Sequence, residues 1–338
     1  MKYLMITSYP PMKCGIGTYA FQMAKKLQSE GHVVNIFSPP EADGDFSENY
    51  KGGFELLHIF KYAFFFEKIV FQYHQSFFYD DPSRKNLLSI IQTHASFFLI
   101  FLIFRKKVEV IIHESPIPYK NQLLYWLEIL KWHLCSKITF HTKKEVDIFE
   151  SSYFKLPSDK YILQEHSKYF CKFRDLSRED ARLELNLPLK KLIFLCIGFI
   201  QPHKGFDIAI KSFCKNSSKM DLYIVGSLRI KFEPYAEYLQ NLRNISREAN
   251  NIHIVESYLS DEDFDTWLIA SDVVVAPYRE IWSSGVVARA KLFNKSVIVS
   301  HVGGLSEQIA ENDIIYENED ELKSIFRSFE HEKYREDI

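Results

Sequence analysis

Strand-like and helix-like segments alternate along this chain, and the alternation starts afresh near the middle. Strict alternation of this kind predicts a parallel sheet covered by helices on both faces. With 338 residues the chain exceeds one typical hydrophobic core, so two domains of about 150 residues each are expected. The predicted fold is α/β, with two doubly wound domains that face each other across an interdomain cleft.

The predicted strands are short apolar runs, at Lys2 to Thr7, Val33 to Phe37, Lys68 to Gln72, Glu109 to His113, Lys137 to His141, Tyr161 to Leu163, Ile193 to Gly198, Leu222 to Val225, Ile252 to Val255, Val273 to Ala276 and Val297 to Val299. Predicted helices lie between them, near Gly17 to Ser29, Arg84 to Phe104, Gln122 to Cys135, Lys144 to Phe154, Phe206 to Cys214, Tyr235 to Ala249 and Asp261 to Ala270. The predicted domains are residues 1–168 and 169–316. A final helix within 317–338 is a candidate to pack back on the first domain.

Composition excludes several classes of function. Charged residues make up 25% of the chain and the formal net charge is -2, so no overall field would attract nucleic acid. The five cysteines form no C-x-x-C pair, which is typical of reduced thiols in a cytoplasmic protein. The first residues form a short strand rather than a long apolar segment, so no signal peptide is expected.

An apolar run, Phe97 to Phe104, is followed by the basic residues Arg105, Lys106 and Lys107. This run is far shorter than the roughly 20 residues that span a bilayer. Two interpretations stay open. The segment is either a peripheral contact with the cytoplasmic face of a membrane or a helix buried in the first domain.

Two loops of the second domain have the pattern of anion-binding sites. In the first, Ser283, Ser284, Gly285 and Val286 open a helix whose free N–H groups and dipole favour a diphosphate. In the second, which runs from Gly198 to Gly205, Lys204 is placed to reach a phosphate. A solvated loop lysine is the alternative, but two such loops in one domain favour phosphate binding.

A glycine loop of the first domain contains Gly15, Ile16 and Gly17 and formally fits the dinucleotide pattern G-x-G-x-x-A. Six residues, Ser8 to Lys13, separate the strand from the glycine segment that begins at Cys14, and the second strand ends without a carboxylate in place to bind a ribose, so nicotinamide binding is not favoured. The loop is expected to line the cleft, and a helix cap without a ligand is the alternative.

Four histidines of the first domain follow predicted strands. His113 lies at the carboxyl end of its strand, where α/β sheets build their sites, and His74 has a comparable place. A core histidine with its hydrogen bonds satisfied is the alternative for each. His141 and His166 also follow strands, but the four histidines have no metal-ligand pattern of acidic or cysteine partners, so no metal site is expected.

Five segments together resemble the retaining glycosyltransferases of the GT-B fold, in the family-4 group that includes many lipopolysaccharide and mannosyl transferases. They follow the family's order along the chain, at Tyr9 to Tyr19, Ile112 to Pro116, Gly198 to Gly205, Ser271 to Val286 and Gly303 to Glu307. The resemblance implies two Rossmann-like domains, a nucleotide-diphosphate-sugar donor and a glycan or lipid-linked glycan acceptor. It also implies a metal-independent enzyme of the hexosyltransferase type, without a cofactor, that acts in cell-surface polysaccharide synthesis.

The resemblance also implies roles for single residues. His113 and Lys204 would be catalytic, because His113 would contact the transferred sugar and Lys204 would neutralise the departing diphosphate. The donor site would comprise Gly198, Lys204, Glu280, Ser283, Ser284, Gly285, Val286 and Arg289. The acceptor-side loop would comprise Gly15, Ile16, Gly17 and His74.

Arg289 departs from the family pattern. The family commonly has two glutamates separated by seven residues, and the second holds the ribose hydroxyls. Here Arg289 stands at that second position, Ile281 at the first, and Glu280 lies one residue away. An arginine only donates hydrogen bonds, so it would meet a hydroxyl lone pair or a phosphate. The alternative function is therefore a non-catalytic relative that acts as a binding or partner subunit.

Overall fold

The computed structural model describes residues 1–79, 87–114, 116–153, 155–230 and 232–331. The chain divides into two compact units, Met1–Tyr169 and Phe170–Ile338. Each unit contains one parallel sheet with helices between its strands, so the predicted fold class of two doubly wound α/β domains is confirmed.

The sheet of the first unit has seven parallel strands, in the order β3-β2-β1-β4-β5-β6-β7. The strands are β1 (Lys2–Ile6), β2 (Val33–Ser38), β3 (Phe46–Ser47), β4 (Lys68–Tyr73), β5 (Val108–Ile112), β6 (Lys137–Phe140) and β7 (Tyr161–Leu163). The helices are α1 (Gly15–Ser29), α2 (Phe60–Ala63), α3 (Gln75–Phe78), α4 (Leu87–Ile103), α5 (Gln122–Leu134) and α6 (Lys143–Ser152). Successive residues of β1, β4 and β5 are buried, so both faces of the sheet are covered there, as is usual for parallel strands with helices on each side.

The apolar run 97–104 contributes to the core and to the surface. Phe97, Phe101 and Phe104 are buried in the first unit, whereas Leu102 and Ile103 are 44% and 53% exposed. Residues 84–86 of the helix predicted from the sequence lie outside the described residues. Within the described ranges, the structure contains no helix that is both long and apolar enough to cross a bilayer.

The sheet of the second unit has six parallel strands, in the order β10-β9-β8-β11-β12-β13. The strands are β8 (Leu192–Ile197), β9 (Met220–Gly226), β10 (Ile252–Glu256), β11 (Val273–Ala276), β12 (Ser296–Ser300) and β13 (Ile314–Tyr316). The helices are α7 (Arg178–Glu184), α8 (Phe206–Ser212), α9 (Glu233–Ser246), α10 (Asp261–Ala270), α11 (Gly285–Leu292) and α12 (Glu319–His331).

The final helix packs on the second unit. Leu322, Phe326 and Phe329 of α12 are buried in the hydrophobic core of that unit. The Phe326 ring lies 5.3 Å from the Phe194 ring of β8. The apolar face of this helix is therefore covered within the second unit. Residues 332–338 of the predicted segment lie outside the described residues.

The strand order fixes where a ligand can bind. In the second unit the parallel strand β8 pairs with β9 on one side and with β11 on the other. The strands that follow β8 are therefore added first on one side of it, as β9 and β10, and then on the other, beginning with β11. The loops after β8 and β11 therefore diverge at neighbouring carboxyl ends, and such a crevice is where open α/β sheets bind their ligands.

Candidate functional site

The loop after β8 begins against the first turn of α11. Gly198 has a left-handed backbone, with a φ of 124°. A Cβ atom built on it would lie 3.6 Å from Cγ2 of Val286. On the β9 side, a Cβ atom on Gly226 would lie 1.8 Å from the Gly198 carbonyl oxygen, so only glycine fits there. The two predicted anion-binding loops thus lie next to each other at the switch point of the sheet.

Lys204 ends a short 3-10 turn, Pro202–Lys204, and Gly205 follows it with a φ of 61°. A Cβ atom on Gly205 would lie 1.9 Å from the Pro277 carbonyl oxygen, which fixes the loop after β8 against the loop after β11. The Lys204 ammonium lies 4.0 Å from the centroid of the Tyr278 ring. Desolvation lowers the pKa of Lys204 to about 8. Within the described ranges no carboxylate pairs with this ammonium.

A buried carboxylate holds the lysine loop in place. Arg279 donates two hydrogen bonds to Asp207, at 2.8 and 2.7 Å, and a third to the Pro202 carbonyl oxygen at 2.8 Å. Burial would raise the pKa of the Asp207 carboxyl, but hydrogen bonds from Arg279 and Tyr238 outweigh it and lower the pKa to about 2. Asp207 therefore stays ionised and ties Arg279 to the turn that carries Lys204.

Ser284 caps the N-terminus of α11. Its hydroxyl oxygen accepts from the Val287 amide at 3.2 Å and donates to the Tyr278 hydroxyl at 3.4 Å. The Gly285 and Val286 amides are the first two of the helix and have no acceptor inside it. Tyr278 thus contacts both the Lys204 ammonium, through its ring, and the helix cap, through its hydroxyl.

Gln308 clamps this helix start and was not found from the sequence. Its amide oxygen accepts from the Ser284 backbone amide at 2.6 Å, and its amide nitrogen donates to the Ser284 carbonyl oxygen at 3.2 Å. Ser283 is also buried in this turn. Glu280 is exposed, and in the described part of the chain it forms no ion pair. No sequence signal distinguishes Gln308 from other surface glutamines.

Arg289 does not have the place expected from the sequence. Its guanidinium donates to Asp261 at 2.7 Å and to Asp265 at 2.5 Å, both on α10, and lies over the Phe264 ring. The side chain is only 5% exposed. A buried guanidinium needs carboxylate partners, and α10 supplies two. The structure therefore corrects the expected ligand contact and gives Arg289 a packing role between α10 and α11.

The glycine loop of the first unit starts α1. Gly15 is exposed, and a Cβ atom on it would meet no atom within 4 Å, so a ligand can approach the backbone there. Ile16 is partly exposed. Gly17 is buried, and a Cβ atom on it would lie 3.2 Å from the Ser8 carbonyl oxygen. Of the three residues, Gly17 serves close packing of α1 against the chain that leaves β1.

His74 caps α3 with its side chain. Its Nδ1 accepts from the Ser76 backbone amide at 3.3 Å, and its Nε2 lies 2.5 Å from a Glu114 carboxylate oxygen. Both ring nitrogens are therefore engaged within the protein. The structure gives His74 a local structural role where a contact with the acceptor was expected.

His113 directly follows β5 and lies beside two other histidines. Its Nε2 donates to the Gln72 amide oxygen at 2.6 Å. His141 follows β6 and His166 follows β7, and the Tyr19 ring packs edge-on against all three imidazoles. Burial lowers the pKa of each of the three, that of His141 to about 4, so they are neutral at physiological pH. The three histidines are distant along the chain, so their spacing does not show that the fold brings them together.

Comparisons with known proteins agree with this geometry. Residues 177–338 match the family model described as Glycosyl transferases group 1. No curated protein matches the chain. Among solved structures, sucrose-phosphate synthase from Thermosynechococcus elongatus is similar, with a TM-score of 0.71 and 15% identity over 97% of this chain and 90% of that one.

Two further solved structures share the fold. HepE from Anabaena in complex with UDP-glucose has a TM-score of 0.64 and 14% identity, over 97% of this chain and 89% of that one. WaaG, a glycosyltransferase involved in lipopolysaccharide biosynthesis, has a TM-score of 0.57 and 15% identity, over 98% and 91%. The second unit therefore matches the model of the glycosyl transferases group 1 family, and the two units have the fold of the GT-B glycosyltransferases.

Proposed function

We propose that this protein is a retaining glycosyltransferase, which moves a hexose from a nucleotide-diphosphate-sugar to a glycan or lipid-linked glycan. The observation that carries the proposal is the Lys204 ammonium, which is desolvated, lies on the Tyr278 ring and has no carboxylate partner among the described residues. Tyr278 also contacts the cap of α11, so a second source of positive potential lies next to the ammonium. A diphosphate would satisfy both.

The proposed chemistry is the stabilisation of a leaving group. As the bond between the anomeric carbon and the phosphate oxygen breaks, negative charge develops on the diphosphate. Lys204 and the Gly285 and Val286 amides are held in place before the reaction, so they stabilise this charge without reorganising. The acceptor hydroxyl forms the new bond to the anomeric carbon, and its proton leaves with a phosphate oxygen. Because protein groups neutralise the diphosphate, we propose that the transfer needs neither a metal nor a cofactor.

His113 is proposed to contact the transferred sugar. Its Nε2–H is committed to Gln72, so its Nδ1 carries a lone pair. A neutral imidazole with a free lone pair accepts a hydrogen bond from a sugar hydroxyl. Gln72 would then act as a positioning residue, because its hydrogen bond fixes the tautomer and the orientation of the His113 ring.

The donor and the pathway are proposed from the solved structures. HepE was solved with UDP-glucose, and WaaG is described as a lipopolysaccharide glycosyltransferase. We therefore propose a UDP-hexose donor and a role in the synthesis of a cell-surface glycan in the cytoplasm. Retention is proposed on the family resemblance.

The test is a turnover assay with purified protein, nucleotide-hexoses and EDTA. Nucleotide diphosphate release and sugar transfer are measured, and the anomeric configuration of the product is read by NMR. Lys204→Ala should weaken binding of the nucleotide diphosphate by roughly 10-fold to 150-fold, the loss of about 1.5 to 3 kcal/mol expected for a charged hydrogen bond. Lys190→Ala, at an exposed lysine of the same unit, is the matched control.

Two results would contradict the proposal. Unchanged affinity in Lys204→Ala would remove this lysine from the donor site. Tight nucleotide binding without release in any mixture of acceptors would favour the non-catalytic relative. Arg289 was the main support for that alternative, and its ion pairs within the second unit weaken the argument.

We also propose that the end of α4 contacts an anionic membrane that holds a lipid-linked acceptor. Phe64 and Phe65 after α2 are 61% and 74% exposed. The Phe64 ring lies 4.9 Å from the Phe104 ring, which brings this pair next to the exposed end of α4. Arg105 and Lys106 are exposed beside it. Apolar side chains flanked by basic ones are suited to the surface of an anionic membrane.

A further inference from the structure

Three histidines that are distant in sequence converge at one edge of the first sheet. His113, His141 and His166 follow β5, β6 and β7, which are neighbours in that sheet. One ring nitrogen of each lies within 4.8 Å of those of the other two. The triad lies in the first unit, and the proposed diphosphate contacts lie in the second.

The hydrogen bonds of His141 fix which of its nitrogens is free. Its Nδ1 lies 3.1 Å from the Gln164 carbonyl oxygen. A carbonyl only accepts, so Nδ1 carries the proton and Nε2 carries a lone pair. That Nε2 is buried and has no hydrogen-bond partner among the described residues. A buried acceptor without a donor costs free energy, which a ligand at this position would recover.

The hydrogen bonds around His113 likewise fix which of its ring nitrogens carries the lone pair. Its Nε2 donates to Gln72, whose amide nitrogen contacts the sulfur atoms of Met5 and Met23, so the amide oxygen is the group that faces the histidine. The Nδ1 of His113 is therefore the nitrogen with the lone pair. Histidine ligands of metals almost always donate their other N–H to a carbonyl or carboxylate oxygen.

We propose that His113, His141 and His166 form a binding site for a divalent transition metal, for which Zn²⁺ is the best fit. Three imidazoles suit zinc, whereas magnesium and calcium prefer oxygen ligands. In a tetrahedral zinc site with bonds of about 2.0 to 2.1 Å, two ligand atoms lie about 3.3 Å apart. The His141 and His166 rings are stacked, with centroids 4.1 Å apart and planes 10° apart, so one of these side chains must rotate before the lone pairs point at one ion. His113 and His166 are partly exposed and His141 is buried, so the ion would reach the triad from the side of the two exposed rings, and water would supply the fourth ligand.

Metal binding would exclude the proposed sugar contact, and this consequence rests on the proposed function. Both interactions use the Nδ1 lone pair of His113. The metal would therefore inhibit transfer rather than take part in it, since the diphosphate is neutralised by Lys204 and α11. Inhibition by Zn²⁺ that EDTA reverses is the expected result in the turnover assay.

The experiment measures binding directly and does not need activity. Metal-free protein, prepared with EDTA and desalted, is titrated with Zn²⁺ by calorimetry and with Co²⁺ by visible absorption. The unchanged protein should bind one equivalent, with the intense absorption of tetrahedral Co²⁺. His166→Ala and His141→Ala should each bind at least about 100-fold more weakly, since loss of an outer partner alone costs 10-fold to 100-fold. His133→Ala, at an exposed histidine of α5, should bind like the unchanged protein.

Circular dichroism decides whether each variant is folded. His166 lies partly exposed in a short 3-10 turn, so His166→Ala carries the test if the buried His141→Ala variant unfolds. The proposal is overturned if the unchanged protein does not bind Zn²⁺, or if folded His166→Ala binds it equally well. Binding without any glycosyl transfer would leave the metal site standing and count only against the proposed function.

Discussion

The Arg289 guanidinium and the Asp265 carboxylate form a buried ion pair that joins α11 to α10, with Nη2 2.5 Å from Oδ1. Asp261, one turn earlier on α10, is 2.7 Å from the other terminal nitrogen. Asp265 also accepts a hydrogen bond from the Phe173 amide at 2.6 Å, which ties the start of the second unit to the same pair. The guanidinium that departs from the family pattern at position 289 is therefore neutralised within the second unit by two carboxylates, Asp261 and Asp265.

Arg289→Glu should destabilise the second unit rather than restore a ribose contact. The change would place a third carboxylate beside Asp261 and Asp265, and breaking a buried pair costs about 3 to 5 kcal/mol. Chemical denaturation should show this loss, with Arg327→Glu on the exposed face of α12 as the control. A stable Arg289→Glu variant with altered nucleotide affinity would show that the guanidinium meets the ligand after all.

Nucleotide binding should weaken as the pH rises above about 8. Desolvation lowers the pKa of Lys204 to about 8, so free protein loses this charge above that pH, whereas a bound diphosphate favours the charged form. Binding then requires proton uptake, and affinity should fall by up to about tenfold per pH unit. Burial raises the pKa of the Tyr278 phenol, so this group stays neutral over the same range.

Calorimetry with UDP from pH 7 to about 10 checks this dependence. Lys204→Arg is the control, because an arginine keeps its charge throughout that range. The affinity of this variant should not change with pH above 8. An equal decline in both proteins would mean that another group titrates.

Asp207→Asn should loosen the lysine loop without removing any proposed ligand contact. Asparagine cannot keep the charged, bidentate pair with Arg279, which also holds the Pro202 carbonyl oxygen. We expect nucleotide binding to weaken by about tenfold, which corresponds to about 1.4 kcal/mol. Tyr238→Phe removes the hydrogen bond that the hydroxyl donates to the Asp207 carboxylate and the one that it accepts from the Asp207 amide. It keeps the ion pair, so its affinity should stay close to that of the unchanged protein. Equal affinities in all three proteins would show that the clamp does not position Lys204.

The end of α4 should bind anionic vesicles. The protein should float with liposomes that contain phosphatidylglycerol at low salt and less so at high salt, since salt screens the basic residues. Changing both Phe65 and Ile103 to aspartate should abolish flotation, whereas Leu183→Asp, at an exposed leucine of α7, should not. An unchanged protein that stays in the dense fraction at low salt would end the membrane proposal.

Most of the sheet could be predicted because its central strands are apolar and β-branched. The predicted strand at Val273 to Ala276 coincides with β11, and the one at Val33 to Phe37 lies within β2. The strands that were missed, β3 and β13, lie at sheet edges and contain two and three residues. Such short runs carry no periodicity, so pairing with a neighbour rather than local sequence makes them strands.

The sequence by itself determined the order of the elements, the two glycine loops of the second unit and the place of Lys204, because strand periodicity and turn residues act locally. Only the tertiary structure decided which groups those residues meet. It directed Arg289 to α10, brought Gln308 to the start of α11 and gathered three histidines from three strands. Such contacts depend on how elements distant in sequence pack, and a buried charge or lone pair takes the partner that this packing supplies.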